Sequence, residues 1–291
     1  MRSDKWLVVG AHGQLGKYFT ETLTAFGANS LSLGRAELDI TNPDAVDRVL
    51  RDFRPTQIIN CAAWVDVEAA EENVDDTFAL NSDALANFVD FTKNTDALLV
   101  NFSTDYVFDG GNRSPYLPTD QVNPINVYGR SKVAGERLLQ EKLPDNSLTV
   151  RTSWLIADSP KNFVSRVASK ALAGETFGAA VDQTGTPTSC AELATVLVET
   201  LAKQRLTGTH HITNTGETTR AGWAEEIYRI LGVNPELVRP ATSETLPMKA
   251  RRPLYAVLDS SENGSIGIPT LSPWQSALAE STVIAKFKAH R

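Results

Sequence analysis

Three glycines near the amino end restrict the fold more than any other feature of this sequence. Trp6 to Val9 is a short apolar run, Gly10-Ala11-His12-Gly13-Gln14-Leu15-Gly16 comes directly after it, and a helical pattern then runs through Leu23 and Phe26. A strand, a tight glycine turn and a helix start in that order suit dinucleotide binding, because glycines let backbone N–H groups close on a pyrophosphate at the positive helix end. The same GxxGxxG could also be a plain strand-to-helix turn, so its meaning depends on the rest of the chain. Gly10, Gly13, Gln14, Leu15 and Gly16 are the candidate cofactor-binding residues of this turn.

Downstream of the turn, strands and helices alternate. Ser30–Leu33, Gln57–Asn60, Ala97–Phe102 and Ser147–Ile156 read as further strands. Between them, Thr41-Asn42-Pro43 caps a helix whose apolar positions Val46, Val49, Leu50 and Phe53 recur at helical spacing until Pro55. A long helix is expected from Asp75 onward, with Phe78, Leu85, Phe88 and Val89 inward and Asn81 on the same stripe. That buried amide needs a partner and could simply stitch the helix to a neighbour. Strands alternating with helices predict an α/β fold: a Rossmann-type doubly wound parallel sheet with a smaller C-terminal substrate-binding α/β domain. The expected ranges are 1–155 for the nucleotide-binding domain, with 189–220 returning to it, and 156–188 plus 221–291 for the substrate side. Helices are expected at 162–172, 191–201 and 221–231, separated by strand and loop pieces at 181–188 and 208–214.

Composition narrows the function. In 291 residues, 28 Lys and Arg face 35 Asp and Glu, a net charge of −7 that argues against general affinity for nucleic acid or anionic membrane. Cys61 and Cys190 are the only cysteines and make no CxxC, which argues against a disulfide framework or a cysteine-rich metal site. The apolar run near the amino end is too short for a signal-peptide core or a membrane span, so a reduced, cytoplasmic setting is expected.

The chemistry concentrates in Asn126–Glu136, NVYGRSKVAGE, where Tyr128 and Lys132 stand four residues apart and so share a helix face. An ammonium beside a phenol favours its anion and is expected to draw the pKa toward the working range, which equips Tyr128 to protonate a carbonyl oxygen. By itself the pair could be a solvated face. Thr104, at the end of the fourth strand, could hydrogen-bond a reacting carbonyl or could be a turn residue. At the end of the second strand the acid that commonly holds the ribose of NAD is missing and Arg35 stands close by. Its guanidinium suits the extra phosphate of NADP, although an exposed loop Arg is the alternative. Asp39 and Ile40 are placed to meet the adenine end, and the small residues Ala62 and Ala63, before Trp64, would let a cofactor lie against the third strand.

GxxGQLG at 10–16, the Ala62-Ala63 step, STDYVFDG at 103–110, NVYGRSKVAGE at 126–136, RTSW at 151–154, VDQTGTPT at 181–188 and Arg252-Pro253 together resemble the extended short-chain dehydrogenase/reductase superfamily. Within it they resemble the dTDP-4-dehydrorhamnose reductase family, over nearly the whole chain and in the expected order. The resemblance implies NADPH-dependent reduction, with NADH possible, of the C4 ketone of a dTDP-6-deoxy-hexulose to dTDP-L-rhamnose. It implies Tyr128 as proton donor, Lys132 on the nicotinamide ribose, Thr104 at the carbonyl and Phe102 in the cofactor site. Val67, Asp105, Tyr106, Trp154 and Arg252 would join Thr104 and Tyr128 against the sugar nucleotide. Val65 and Ala256 stand where members often carry Thr and Ser, which loosens the expectation for the sugar epimer. Some members dimerise through magnesium held by glutamates. Glu192 matches one such position but Tyr18 stands at another, so magnesium is not expected and the chain is read as a monomer or homodimer. A nucleotide-sugar dehydratase typically carries Asp-Glu after the threonine, whereas this chain has Asp105-Tyr106. A non-catalytic subunit of the methionine adenosyltransferase type shares the motif set and remains the alternative from another class.

Overall fold

The computed structural model describes residues 4–289; the outermost residues of the two predicted domain ranges, 1–3 and 290–291, lie outside the described residues. The chain begins with β1 (Lys5–Val9), α1 (Gln14–Ala25) and β2 (Asn29–Leu33). Next come α2 (Pro43–Phe53), β3 (Gln57–Asn60), α3 (Val67–Ala70), α4 (Val74–Asn81), α5 (Ala86–Lys93) and β4 (Leu98–Thr104). The first half closes with α6 (Val127–Lys142) and β5 (Ser147–Thr152). The predicted helix from Asp75 is broken: Ser82 leaves helical backbone angles and a 3-10 turn at Asp83–Leu85 separates α4 from α5. Asn81 explains why the break is tolerated, since its amide is committed outside the helix, to the backbone of Trp64 at 2.8 and 3.0 Å and to the Ser131 hydroxyl at 2.9 Å.

Beyond β5 come β6 (Leu155–Ile156), α7 (Phe163–Leu172), β7 (Phe177–Ala180), β8 (Thr184–Gly185), β9 (Thr188–Ser189), α8 (Cys190–Leu201) and β10 (Gly208–His211). The last elements are β11 (Thr218–Thr219), α9 (Arg220–Ile230), β12 (Val238–Ala241), α10 (Trp274–Ala279) and α11 (Thr282–Ala289). The fifth strand is shorter than predicted. Trp154 takes a left-handed backbone (φ +42°) that turns the chain, so Leu155–Ile156 pair with β9 instead of continuing the main sheet.

The main sheet has six parallel strands in the order β10-β5-β4-β3-β1-β2. Residues 208–214, expected as strand and loop pieces, thus supply a sixth strand beside β5. Alternate residues of each strand go to opposite faces. Trp6 and Val8 join a core with Phe19, Leu23, Leu193 and Leu197 of α1 and α8, while Leu7 and Val9 join one with Leu50, Phe88 and Leu139 of α2, α5 and α6. A third core, including Val164, Val167, Trp223, Tyr228 and Ile284, lies under the short sheets β7–β12, β8–β11 and β6–β9. Chain order reverses at β1, whose neighbours are β2 on one side and β3 on the other, and such a switch point opens a crevice at the strands' carboxyl ends.

Candidate active site

Gly10 follows β1 with φ +70°, and a Cβ there would lie 2.5 Å from the Ala62 backbone nitrogen. Only glycine permits that approach, and it brings the turns after β1 and β3 together at the switch point. A cavity of about 550 Å³ opens there. Gly10, Gly13, Arg35, Asp39, Ile40, Ala62, Ala63 and Trp64 line it, as does His12. Of the other residues expected at the cofactor on this side, Gly16 packs against the Gly10 carbonyl, where a Cβ would stand 2.2 Å away. Leu15 and Phe102 are buried in a core, Phe102 against the Phe19 ring at 5.4 Å, and the Gln14 side chain accepts from Asn162 at 2.8 Å.

Tyr128 and Lys132 occupy the first two turns of α6. That helix is anchored at its start: the Asn126 side chain accepts from the Gly129 backbone at 2.7 Å and donates to the Arg251 carbonyl at 2.8 Å, and Glu71 accepts from the Val127 backbone at 2.8 Å. A Cβ at residue 129 would stand 2.2 Å from the Tyr106 carbonyl oxygen, so a glycine there lets α6 press against the end of β4. Thr104, the last residue of β4, accepts from the Tyr106 backbone at 3.1 Å, donates to Asp105 at 2.9 Å and is close enough to the Tyr128 phenol to lower its pKa. Two segments distant in sequence thus bring polar groups to the carboxyl end of the sheet: Thr104 at the end of β4, and Tyr128 of α6 with the buried Lys132 one turn further along that helix. The family model described as the RmlD substrate binding domain matches residues 4–287.

The chain belongs to the RmlD family. It is 40% identical over 281 residues to a dTDP-4-dehydrorhamnose reductase of Streptomyces griseus, covering 95% of this chain and 92% of that one. It is 35% identical to a dTDP-4-keto-6-deoxy-D-glucose reductase of Streptomyces niveus, with 96% of each covered. A crystal structure of dTDP-4-dehydrorhamnose reductase from Bacillus anthracis in complex with NADP superposes with a TM-score of 0.90 at 31% identity, covering 99% of this chain and 100% of that one.

In this RmlD-family site the electrostatics differ from the sequence expectation. Burial pushes the Tyr128 phenol up, Asp105 and Tyr106 push the same way, and the Thr104 hydrogen bond opposes them only in part. Desolvation of the anion therefore dominates, and the phenol stays protonated. Lys132 is itself lowered to about 8 by burial, against the opposing influence of Glu136 and Cys61. Since kcat/KM reports groups of the free enzyme, its profile is expected to turn down more steeply near pH 8 as Lys132 loses its proton. A slope unchanged through that region would remove Lys132 from the rate.

The remaining predicted residues are dispersed around this centre. Trp154 is buried, stacked on Trp223 at 5.6 Å, with the Arg220 guanidinium 3.6 Å over its ring. Arg252 pairs with Glu68 at 2.6 Å and stands 5.8 Å from the Tyr106 ring, and Val67 opens α3 beside them. Val65 is exposed and Ala256 buried. The Tyr18 hydroxyl accepts from the Asp158 backbone at 3.0 Å, and Glu192 accepts from Ser272 and Asn214; among the described residues no group of three or more His, Cys, Asp or Glu could hold a metal.

Two functional candidates escaped the sequence reading. Arg220 belongs to no motif and reaches Asp105 and Tyr106 only through the fold. Glu37, four residues past the end of β2, accepts from the Gly34 backbone at 2.9 Å and lies 3.9 Å from His12 of the cavity wall. Arg35 shares the cavity wall with His12, so Arg35→Ala is expected to weaken NADPH binding by about 10–100-fold, the worth of a charge-assisted contact, with little change for NADH. Fluorescence titration checks this, and equal losses for both nucleotides would count against a phosphate contact.

Proposed function

We propose that this chain is an NADPH-dependent reductase of the C4 ketone of a dTDP-6-deoxy-hexulose, forming dTDP-L-rhamnose, and that it acts in the cytoplasm as a monomer or homodimer. What supports the reading is Thr104 at the end of β4 beside Tyr128 of α6, with Lys132 on the same helix near enough to Cys61 of the glycine-lined crevice for the two to interact. The turn at Gly10–Gly13, with Ala62 and Ala63 opposite, would hold the dinucleotide, and Arg35 its extra phosphate. NADPH, when bound, supplies hydride.

The chain's own groups handle the charge that hydride leaves on the substrate oxygen. Tyr128, held protonated by burial, is a loaded acid, and giving its proton to that oxygen neutralises it. The Lys132 ammonium then faces the phenolate left behind from one helical turn away, and its positive charge stabilises that state. Asp105 and Tyr106 at the end of β4, with Arg252 over the Tyr106 ring, form the side toward the sugar. No helix among the described residues is long and apolar enough to cross a membrane.

The test is a coupled assay offering dTDP-4-dehydrorhamnose with NADPH or NADH, with identification of the product. Stoichiometric loss of nicotinamide absorbance with a C4 alcohol product is expected. A changed sugar with no net loss would mean a dehydratase or epimerase, which recycles its cofactor. No turnover, with copurification of a synthetase, would mean a regulatory subunit.

A further inference from the structure

Asp105 opens the short 3-10 turn after β4 and is only 3% exposed. Its Oδ1 accepts from the Thr104 hydroxyl at 2.9 Å, while its Oδ2 is buried and makes no hydrogen bond of ordinary geometry. A buried carboxylate with an idle oxygen is costly, and a group kept in that condition calls for an explanation. The charged and polar groups facing it are Thr104 and Tyr106 from its own segment, Tyr128 from α6, Arg220 from α9 and Trp154 after β5; Arg252 acts on it through Arg220.

Counting protons shows what the arrangement does. A threonine hydroxyl has one hydrogen to donate and two lone pairs to accept with. With Asp105 ionised, the Thr104 hydrogen goes to Asp105 and one lone pair takes the Tyr106 N–H, which leaves the other for the Tyr128 O–H beside it. In that direction the Tyr128 proton is turned away from a substrate and Thr104 has none to give. With Asp105 protonated, the carboxyl donates to Thr104, Thr104 donates to the Tyr128 oxygen, and the Tyr128 hydrogen is free to point at a ketone.

We infer that Asp105 sets the direction of the Thr104 hydroxyl and, through it, replenishes the proton that Tyr128 gives up; this rests on the ketoreductase reading above. The step balances. Hydride addition turns the carbonyl oxygen into an alkoxide, and the Tyr128 O–H bond breaks as the new alcohol O–H forms. The Thr104 proton passes to the Tyr128 oxygen and the Asp105 proton to the Thr104 oxygen. The carboxylate then takes one proton from water, so one proton enters per ketone reduced. Asp105 is in this sense a positioning residue that works through Thr104. Its carboxyl, raised by burial to about 6 and only partly offset by Thr104, Arg220 and Trp154, titrates where such a switch is useful.

The test compares wild type with Asp105→Asn, whose amide can donate to Thr104 but cannot titrate. Hydride transfer is followed in a single turnover with NADPH and dTDP-4-dehydrorhamnose between about pH 5 and about pH 8. In wild type the rate should fall roughly tenfold per unit above an inflection set by Asp105, and in Asp105→Asn that inflection should vanish while the Kd for NADPH is unchanged. The same inflection in both proteins overturns the inference. Two measurements on wild type serve if the variant does not fold. The rate against deuterium fraction should curve, because more than one proton is in flight, and a straight line overturns the inference. In the cofactor-free protein a protonated-carboxyl infrared band should titrate near pH 6, and its absence at about pH 5 overturns it as well. Failure of wild type to oxidise NADPH with any 4-keto sugar nucleotide instead overturns the functional reading beneath.

Discussion

Tyr128→Phe is expected to lower kcat by about 10²–10⁴-fold while leaving the Kd for NADPH nearly unchanged, because it removes one transferable proton and little else. The ring is half-buried and packs edge-on against Tyr106 at 6.0 Å, a contact phenylalanine can keep. The Thr104 hydroxyl keeps its hydrogen bonds to Asp105 and the Tyr106 backbone, so the end of β4 should hold its shape. Stopped-flow reduction together with fluorescence titration of NADPH separates the effects. Full activity in this variant would remove the assigned role, whereas parallel losses in turnover and NADPH binding would point to a structural part for the phenol.

The largest expected effect on stability is at Arg151→Met. Arg151 holds Glu136 through two hydrogen bonds, 2.9 and 2.7 Å, with the two side chains only 6% and 9% exposed. Its further contacts include the Pro118 carbonyl at 3.1 Å and the Phe108 ring at 5.2 Å. Removing the cation strands a buried carboxylate, which costs about 3–5 kcal/mol, while replacing both partners with apolar residues is often close to neutral. Urea unfolding should therefore show the single variant destabilised by about that amount and Arg151→Met/Glu136→Leu recovering most of it. A single variant within about 1 kcal/mol of wild type would mean the pair is wetter than its burial implies. The pair ties α6 to β5, and Glu136 lies one turn beyond Lys132 on α6, where its charge supports the buried ammonium.

Much of this architecture was legible in the sequence because it is written in short-range periodicities. The glycine turn, the strand starts at Gln57 and Ser147 and the Asn42 cap of α2 depend on neighbouring residues, and each stands within a residue of its expected place. Tyr128 and Lys132 share a helix face for the same reason. The broken helix after Asn81 and the early end of β5 were not legible: the first is set by Trp64 and Ser131, the second by the backbone turn at Trp154. The approach of Glu37 to His12 was not legible either, because it depends on the short turn that follows β2.

By itself, then, the amino-acid order determined the glycine turn and most strand and helix starts of the first half, that they alternate into a parallel sheet, and which residue types could do proton chemistry. Tertiary structure alone decided that β10 completes the sheet, that Arg220 reaches Asp105, and that burial raises rather than lowers the Tyr128 pKa. The physical reason is range: propensity and spacing act over a few bonds, whereas desolvation and hydrogen-bond direction depend on which distant segments exclude water together.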